Sequence, residues 1–347
     1  MMASSTQSRS RIRPWVIVIL SCILFLIVLS QMPSVISLSQ VGKKMGVFAT
    51  VFLGIFIEAV PFLLLGTISS GFVEAFLNQS QITRVIPRKA VGGALTGSMM
   101  GLAFPVCECG VVPLTRRLFS KGLTVSAGIA FLLAAPVINP IVIFSTAAAF
   151  GWGWMLVGRV GLTLVMAVVI GIIFSVVKSP SAILLSPKWV YKDPLENPMT
   201  PPAVPRKSFM EKFHQMAVIA GDEFFEMGRF LVLGAAIAAG MQTLIPQRVM
   251  LQLGHGPITS VLVMLALAVI LSICSTVDAF VVLGFVGTFS PGAILAFLIF
   301  GPMVDIKTTI MYFSVFKKRT VLYLILLPLL MSLLAGLAIN AFALGGI

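Results

Sequence analysis

The run Phe104-Pro105-Val106-Cys107-Glu108-Cys109-Gly110 interrupts an otherwise apolar stretch, and a related interruption, Ile273-Cys274-Ser275-Thr276-Val277-Asp278, follows about 167 residues later. Thiols, carboxylates, a proline and a glycine are costly at membrane depth. Unwound backbone is tolerated there only where protein or a water-filled cavity covers it. Two such interruptions inside two similar halves point to a transport site rather than a packing accident.

Composition sets the solvent. Apolar residues make up 59% of the 347 residues and charged residues 10%, with mean hydropathy +1.09. A soluble domain does not need that much apolar content, so lipid surrounds most of the chain. Recurrent apolar runs of roughly 18 residues or more fit a helical bundle and exclude an outer-membrane barrel, whose pattern alternates. The net charge of +13 does not indicate a nucleic-acid partner. Its basic residues sit in short clusters between apolar runs, as on a cytoplasmic membrane face.

Long apolar segments run approximately over 14–38, 47–77, 90–119, 122–149, 153–178, 214–245, 257–289, 291–313 and 320–345. The first follows Arg9, Arg11 and Arg13 and lacks a small-x-small cleavage site, so it reads as a retained helix rather than a signal peptide. Residues 179–213 form a basic, proline-rich connector. The expected organisation is a tail and first helix over 1–45, a repeat over 46–178, the connector, and a second repeat over 214–347.

The halves align. Glu58 and Gly66 match Glu226 and Gly234, Cys107 matches Cys274, and Pro136 and Asn139 match Pro302 and Asp305, with the offset drifting by only a residue between anchors. Charge then constrains topology. If all nine segments crossed, the N-terminus and the connector would lie on opposite sides, although both are basic. A re-entrant hairpin over 90–119, turning at Pro105–Gly110, removes the conflict, and 257–289 is read in the same way from the other side. Only Lys43, Lys44 and Arg248 then fall outside, with Arg159, Arg229 and Lys307 within helices. The expected fold is an all-α polytopic membrane protein. It is an inverted repeat of three transmembrane helices plus one re-entrant broken-helix hairpin each, with an extra N-terminal helix, as in secondary transporters. The N-terminus and the connector are placed in the cytoplasm and the chain in the plasma membrane.

Hairpin tips meeting near the bilayer centre would bring Cys107, Cys109 and Cys274 to one soft, thiophilic solute or metal ion. Pro105, Gly110, Pro136, Pro140 and Pro302 are the expected breaks or hinges, with Asn139 and Asp305 beside the kinks as further substrate contacts. Intramembrane Glu58, Glu108, Asp278 and Glu226 are candidates for proton coupling. Arg229 lies one turn from Glu226 and offers it an ion pair. Lys307, two residues from Asp305, is not on its helix face, which argues against a direct pair and for snorkelling toward the cytoplasm. Gly93, Gly97 and Gly101 suit close helix packing. Cys22 reads as small apolar filler.

Pro105-x-Cys107-x-Cys109-Gly110, Ala135-Pro136-x-x-Asn139-Pro140 and Gly301-Pro302-Met303-x-Asp305-x-Lys307 resemble the signature segments of the predicted-permease family that includes the ArsP-type organoarsenical exporters. The resemblance covers most of residues 45–345. It implies efflux of trivalent arsenicals or other thiophilic species, with Cys107, Cys109 and Cys274 as soft contacts, and some family members are associated with metal-ion export.

The leading expectation is thus a secondary exporter in the bilayer, free of cofactors and compatible with a homo-oligomer, with a channel of paired half-helices as the alternative. No Gly-x-x-x-x-Gly-Lys-Ser/Thr phosphate loop occurs. An enzyme with Cys107 or Cys109 as nucleophile would lack a base, because His214 and His255, the two histidines, fall at or beyond helix ends.

Overall fold

The computed structural model describes residues 38–87, 89–104, 106–177, 179–185, 208–244 and 256–345. The expected first helix over 14–37, Pro105, most of the connector, Arg248 and His255 lie outside the described residues. Residues 1–47 and 48–347 form two units, and of the first only 38–47 are described.

The described residues are helical apart from turns and isolated β-bridges. A long helix α1 (Leu38–Phe76) is followed by a short α2 (Gln79–Val85), which the sequence reading did not anticipate. Next come α3 (Ala90–Met99), continued by a 3₁₀ turn to Leu102, and α4 (Glu108–Ser120). The first half closes with α5 (Val125–Ala134), α6 (Pro140–Phe150) and α7 (Trp154–Phe174). The second half runs α8 (Phe209–Leu244), α9 (Pro257–Leu271), α10 (Asp278–Leu283), α11 (Pro291–Met303), α12 (Ile306–Val315) and α13 (Lys318–Gly345). A long helix, two broken segments and a final long helix therefore occur twice in the same order.

Among the described residues, five stretches are long and apolar enough to cross a bilayer: Gly42–Phe76, Trp154–Phe174, Phe209–Leu244, Pro291–Val315 and Lys318–Phe342. Their burial differs sharply. In Pro291–Val315, 83% of the most apolar window is inside the protein, against 22% for Lys318–Phe342. The broken segments thus form the core, and the unbroken helices expose apolar side chains such as Ile57, Val157 and Leu334 to the surroundings.

Packing repeats as well. Helix α5 lies against α3 and α7, and α11 lies against α9 and α13. Across the halves, α12 packs on α4 while α6 packs on α10. Glycine sets the closest approaches. A Cβ at Gly101 would stand 2.8 Å from the Ala135 Cα, and one at Gly97 would collide with the Ala127 backbone, so the glycine row brings α3 onto α5 as its spacing suggested. The turn after α12 is also tied to the start of the connector. The Leu185 amide donates to the Val315 carbonyl at 2.9 Å and the Lys317 amide to Ile183 at 2.9 Å.

Pro136, Pro140 and Pro302 stand at helix ends, whereas Pro61, Pro113 and Pro328 lie inside helices. Pro136 lies in the turn that ends α5, and the chain re-enters a helix at Pro140, where a missing N–H costs nothing. Asn139 caps α6 in between: its Oδ1 accepts from the Val142 amide at 3.0 Å. At the matching place in the second half, Pro302 stands one residue before the end of α11, and Asp305 caps α12 by accepting from the Thr308 amide at 2.6 Å. Gly110 corrects an expectation. It is not a turn residue but lies inside α4, where it gives α1 its closest approach: a Cβ on Gly66 would strike the Gly110 Cα. The break itself lies over 103–107.

Candidate functional site

Three helix breaks meet in the core, those before α4, after α9 and before α12. In the first hairpin, Cys107 is the N-cap of α4, and Glu108 is the first residue of that helix. In the second, α9 ends at Ser272, whose φ of 48° makes it the one non-glycine residue in the left-handed region among those described. Asp278 then opens α10. A carboxylate therefore stands at the N-terminus of the helix that follows each break, where exposed amides favour negative charge.

These tips bring the expected thiols together. The Cys107 side chain interacts with those of both Cys109 and Cys274, and all three thiols are free and buried. Glu108 joins them from the first hairpin: its Oε2 faces the Cys274 Sγ at 3.8 Å and accepts from the Ser275 hydroxyl at 3.4 Å. Among the described residues no group of three or more His, Cys, Asp or Glu side chains is arranged to hold a metal ion. The thiols as placed are contacts that a soft ligand could recruit, not a closed metal site.

Lys307 is the main correction. It does not snorkel; it is 2% exposed, and its Nζ lies 3.1 Å from Glu108 Oε1 and 3.4 Å from Asp305 Oδ2. The Ser272 carbonyl accepts its hydrogen bond at 2.9 Å, whereas the Glu108 contact is an ion pair without hydrogen-bond alignment. The helix-face argument failed because Asp305 is not in the helix. As an extended N-cap, with φ −133° and ψ −179°, it can be met by a side chain from the first turn. The Ser272 hydroxyl donates to Asp305 Oδ2 at 2.7 Å, so this contact and the Lys307 ion accompany the left-handed backbone at Ser272.

A second ion pair was not foreseen. Arg159, on α7, is fully buried and donates to Asp278 Oδ2 at 2.6 Å and to the Thr146 hydroxyl at 2.8 Å. A weaker contact at 3.4 Å reaches the Ser275 carbonyl, and the nearby Ser145 hydroxyl donates to the Thr276 carbonyl. The second hairpin is thereby held by α6 and α7 of the first half, much as the first hairpin is held by Lys307 of α12. The sequence signal was there: an arginine inside an apolar run needs a buried acid, and Asp278 is one.

The remaining site residues separate. Glu58 is half-buried on α1, within electrostatic reach of Lys307 and Glu108, with an Oε1 that has no hydrogen-bond partner. Asn139 uses its side chain on helix ends, its Nδ2 donating to the Ala135 carbonyl at 3.1 Å. Glu226 pairs not with Arg229 but with Arg116, at 2.8 and 3.0 Å. That contact belongs to a half-buried network in which Arg117 meets Glu223 at 2.6 Å and Lys121 meets Glu74 at 3.1 Å. Arg116 follows Glu108 by eight residues, about 12 Å along the helix, so this network clamps the far end of α4 to α1 and α8. Arg229 instead stacks over the Phe230 ring at 4.8 Å.

An all-helical, multi-pass membrane protein with charges and thiols buried where broken helices meet is of the permease class. Residues 44–341 match the ArsP_1 family, described as a predicted permease, and the chain belongs to it. The chain is 42% identical to the UPF0718 protein YcgR of Bacillus subtilis over 83% of its own length and 94% of that relative. It is 38% identical to a putative two-component membrane permease complex subunit of Streptococcus mutans, over 78% of its length and 88% of the relative. No solved structure matches it.

Proposed function

We propose that this permease is a secondary-active exporter of a small thiophilic solute, an organoarsenical or soft metal species, working by alternating access. The observation that carries the reading is the meeting of Cys107, Cys109 and Cys274, from two separate broken segments, around the Glu108 carboxylate. Soft sulfur ligands select As(III) and soft metals over hard cations. Helix breaks at a buried centre leave backbone groups and caps that can change partners as the halves move. The repeated order of elements supports a duplication, and the distribution of basic residues is what favours inverted halves with the N-terminus and connector on the cytoplasmic side of the plasma membrane. Glu58, half-buried beside the cluster with an unpartnered Oε1, is the favoured carrier of an exchanged proton.

The Streptococcus mutans relative, a putative two-component membrane permease complex subunit, favours an addition to this reading, namely that the chain works alongside a second subunit.

The test is growth of a metal-sensitive bacterial host on methylarsenite, arsenite, copper and zinc, with wild type compared with the Cys107→Ser/Cys109→Ser/Cys274→Ser variant. Wild type should protect against at least one toxicant and the variant should not. Equal sensitivity of wild type and empty host to all four would sink the proposal. Flux without saturation or counter-exchange would favour a pore of paired half-helices instead.

A further inference from the structure

Nothing in the exporter reading gives Lys307 a task. An ammonium repels a soft cation and offers no electron pair to arsenic, yet it occupies the centre of the site. It stands between carboxylates of the two halves, Glu108 at 3.1 Å and Asp305 at 3.4 Å. The two partners are held differently. Asp305 is fixed by the Thr308 amide at 2.6 Å and the Ser272 hydroxyl at 2.7 Å. The Glu108 Oε1 has no aligned hydrogen bond, and its other oxygen rests on the longer contacts to Ser275 and Cys274. Glu108 is therefore the exchangeable partner and Asp305 the permanent one.

We propose that Lys307 is a tethered counter-ion, taking the place of a bound cation while the carrier is empty. The argument rests on the exporter reading and adds the charge of the load. An uncompensated carboxylate is costly in a low-dielectric core, so a carrier built on Glu108 alone could not readily return unloaded. With Lys307 on Glu108 that carboxylate is compensated, while Asp305 keeps its hydrogen bonds from Thr308 and Ser272. An incoming soft cation takes Glu108 and the thiols, whose protons pass to Glu58 as the sulfurs bind, and Lys307 withdraws onto Asp305 without losing its own counter-charge. The load is then a cation rather than a neutral arsenical, and net one-way efflux needs no returning solute at this site. The protons that the thiols give up on loading and regain on release pass through Glu58, and no other returning solute is needed.

The experiment uses full-length protein in proteoliposomes, with radiolabelled Cd²⁺ and labelled methylarsenite as probes. Net efflux into probe-free buffer is compared with exchange against external unlabelled probe. In Lys307→Met, net Cd²⁺ efflux should fall about tenfold or more, because the empty return alone meets a raised barrier, while exchange persists. Persistent exchange also certifies the fold. Equal loss of both fluxes, or loss of neither, overturns the counter-ion. Should Lys307→Met fail to fold, Asp305→Asn decides. Freed from its permanent partner, Lys307 should compete harder for Glu108, raising the KM for Cd²⁺ several-fold with the ratio of net to exchange flux unchanged, and an unaltered KM overturns the proposal. Wild type that carries methylarsenite but not Cd²⁺ refutes the cationic load and leaves the exporter standing. Wild type that carries neither refutes both.

Discussion

Arg159 of the first half and Asp278 of the second form a buried ion pair of 2.6 Å, with neither side chain more than 2% exposed. This pair and Lys307–Glu108 cross between the halves in opposite senses: the first half supplies the base in one and the acid in the other. Each hairpin tip is thus pinned by a charge from the half to which it does not belong.

Removing one member of the Arg159 pair leaves an uncompensated buried charge, a cost of about 3–5 kcal/mol. Arg159→Met and Asp278→Asn should each lower the thermal unfolding midpoint in detergent markedly. The double variant should recover much of the loss. A double variant as unstable as the sum of the singles would show that the pair is not coupled.

Gly66 and Gly110 touch backbone to backbone, so a methyl group at either position has nowhere to go. Gly110→Ala should separate α1 from α4 at a cost of roughly 1–3 kcal/mol, the usual penalty of overpacking. Fluorescence-detected size-exclusion chromatography should show a smaller folded peak, whereas Gly54→Ala, with open space around it, should be silent.

Buried thiols are shielded from alkylating reagents whatever their chemistry. With Cys22 replaced by Ser, the folded protein should label slowly with N-ethylmaleimide at Cys107, Cys109 and Cys274, and rapidly once denatured. Mass spectrometry would read the difference, and fast labelling of the resting protein would mean the site is open to water.

The carboxylates should divide by place. Glu58→Gln should abolish substrate-driven pH change in proteoliposomes, as expected of the proton carrier. Glu226 lies in a partly buried ion-pair network away from the thiols, so Glu226→Gln should lower stability and leave coupling intact. The reverse pattern would exchange their roles.

Much of this was legible in the sequence because polar residues inside apolar runs are rare enough to stand out. The two interruptions, the matched prolines and the thiols all marked the centre, and many described segment boundaries fell within a few residues of helix ends, although α1 begins at Leu38 rather than near 47. What escaped was partner choice. Lys307 was misjudged because helix-face spacing does not apply across an N-cap. Glu226 was given Arg229, a neighbour along the chain, when its partner Arg116 is distant in sequence. Gly110 was read as a turn because its value lay in a contact with Gly66, which no local pattern records. The orientation of the halves rests on the distribution of basic residues.

The crossing of charges between halves also bears on how the chain is made. When a ribosome has finished the first half, Glu108 and Arg159 are already inserted, and the Lys307 and Asp278 that neutralise them do not yet exist. The nascent intermediate therefore carries both orphan charges through synthesis of the connector, α8 and α9, and the Glu108 charge until α12 is made. Its first half should be a substrate for membrane quality-control proteases unless the second half is supplied, even from a separate message.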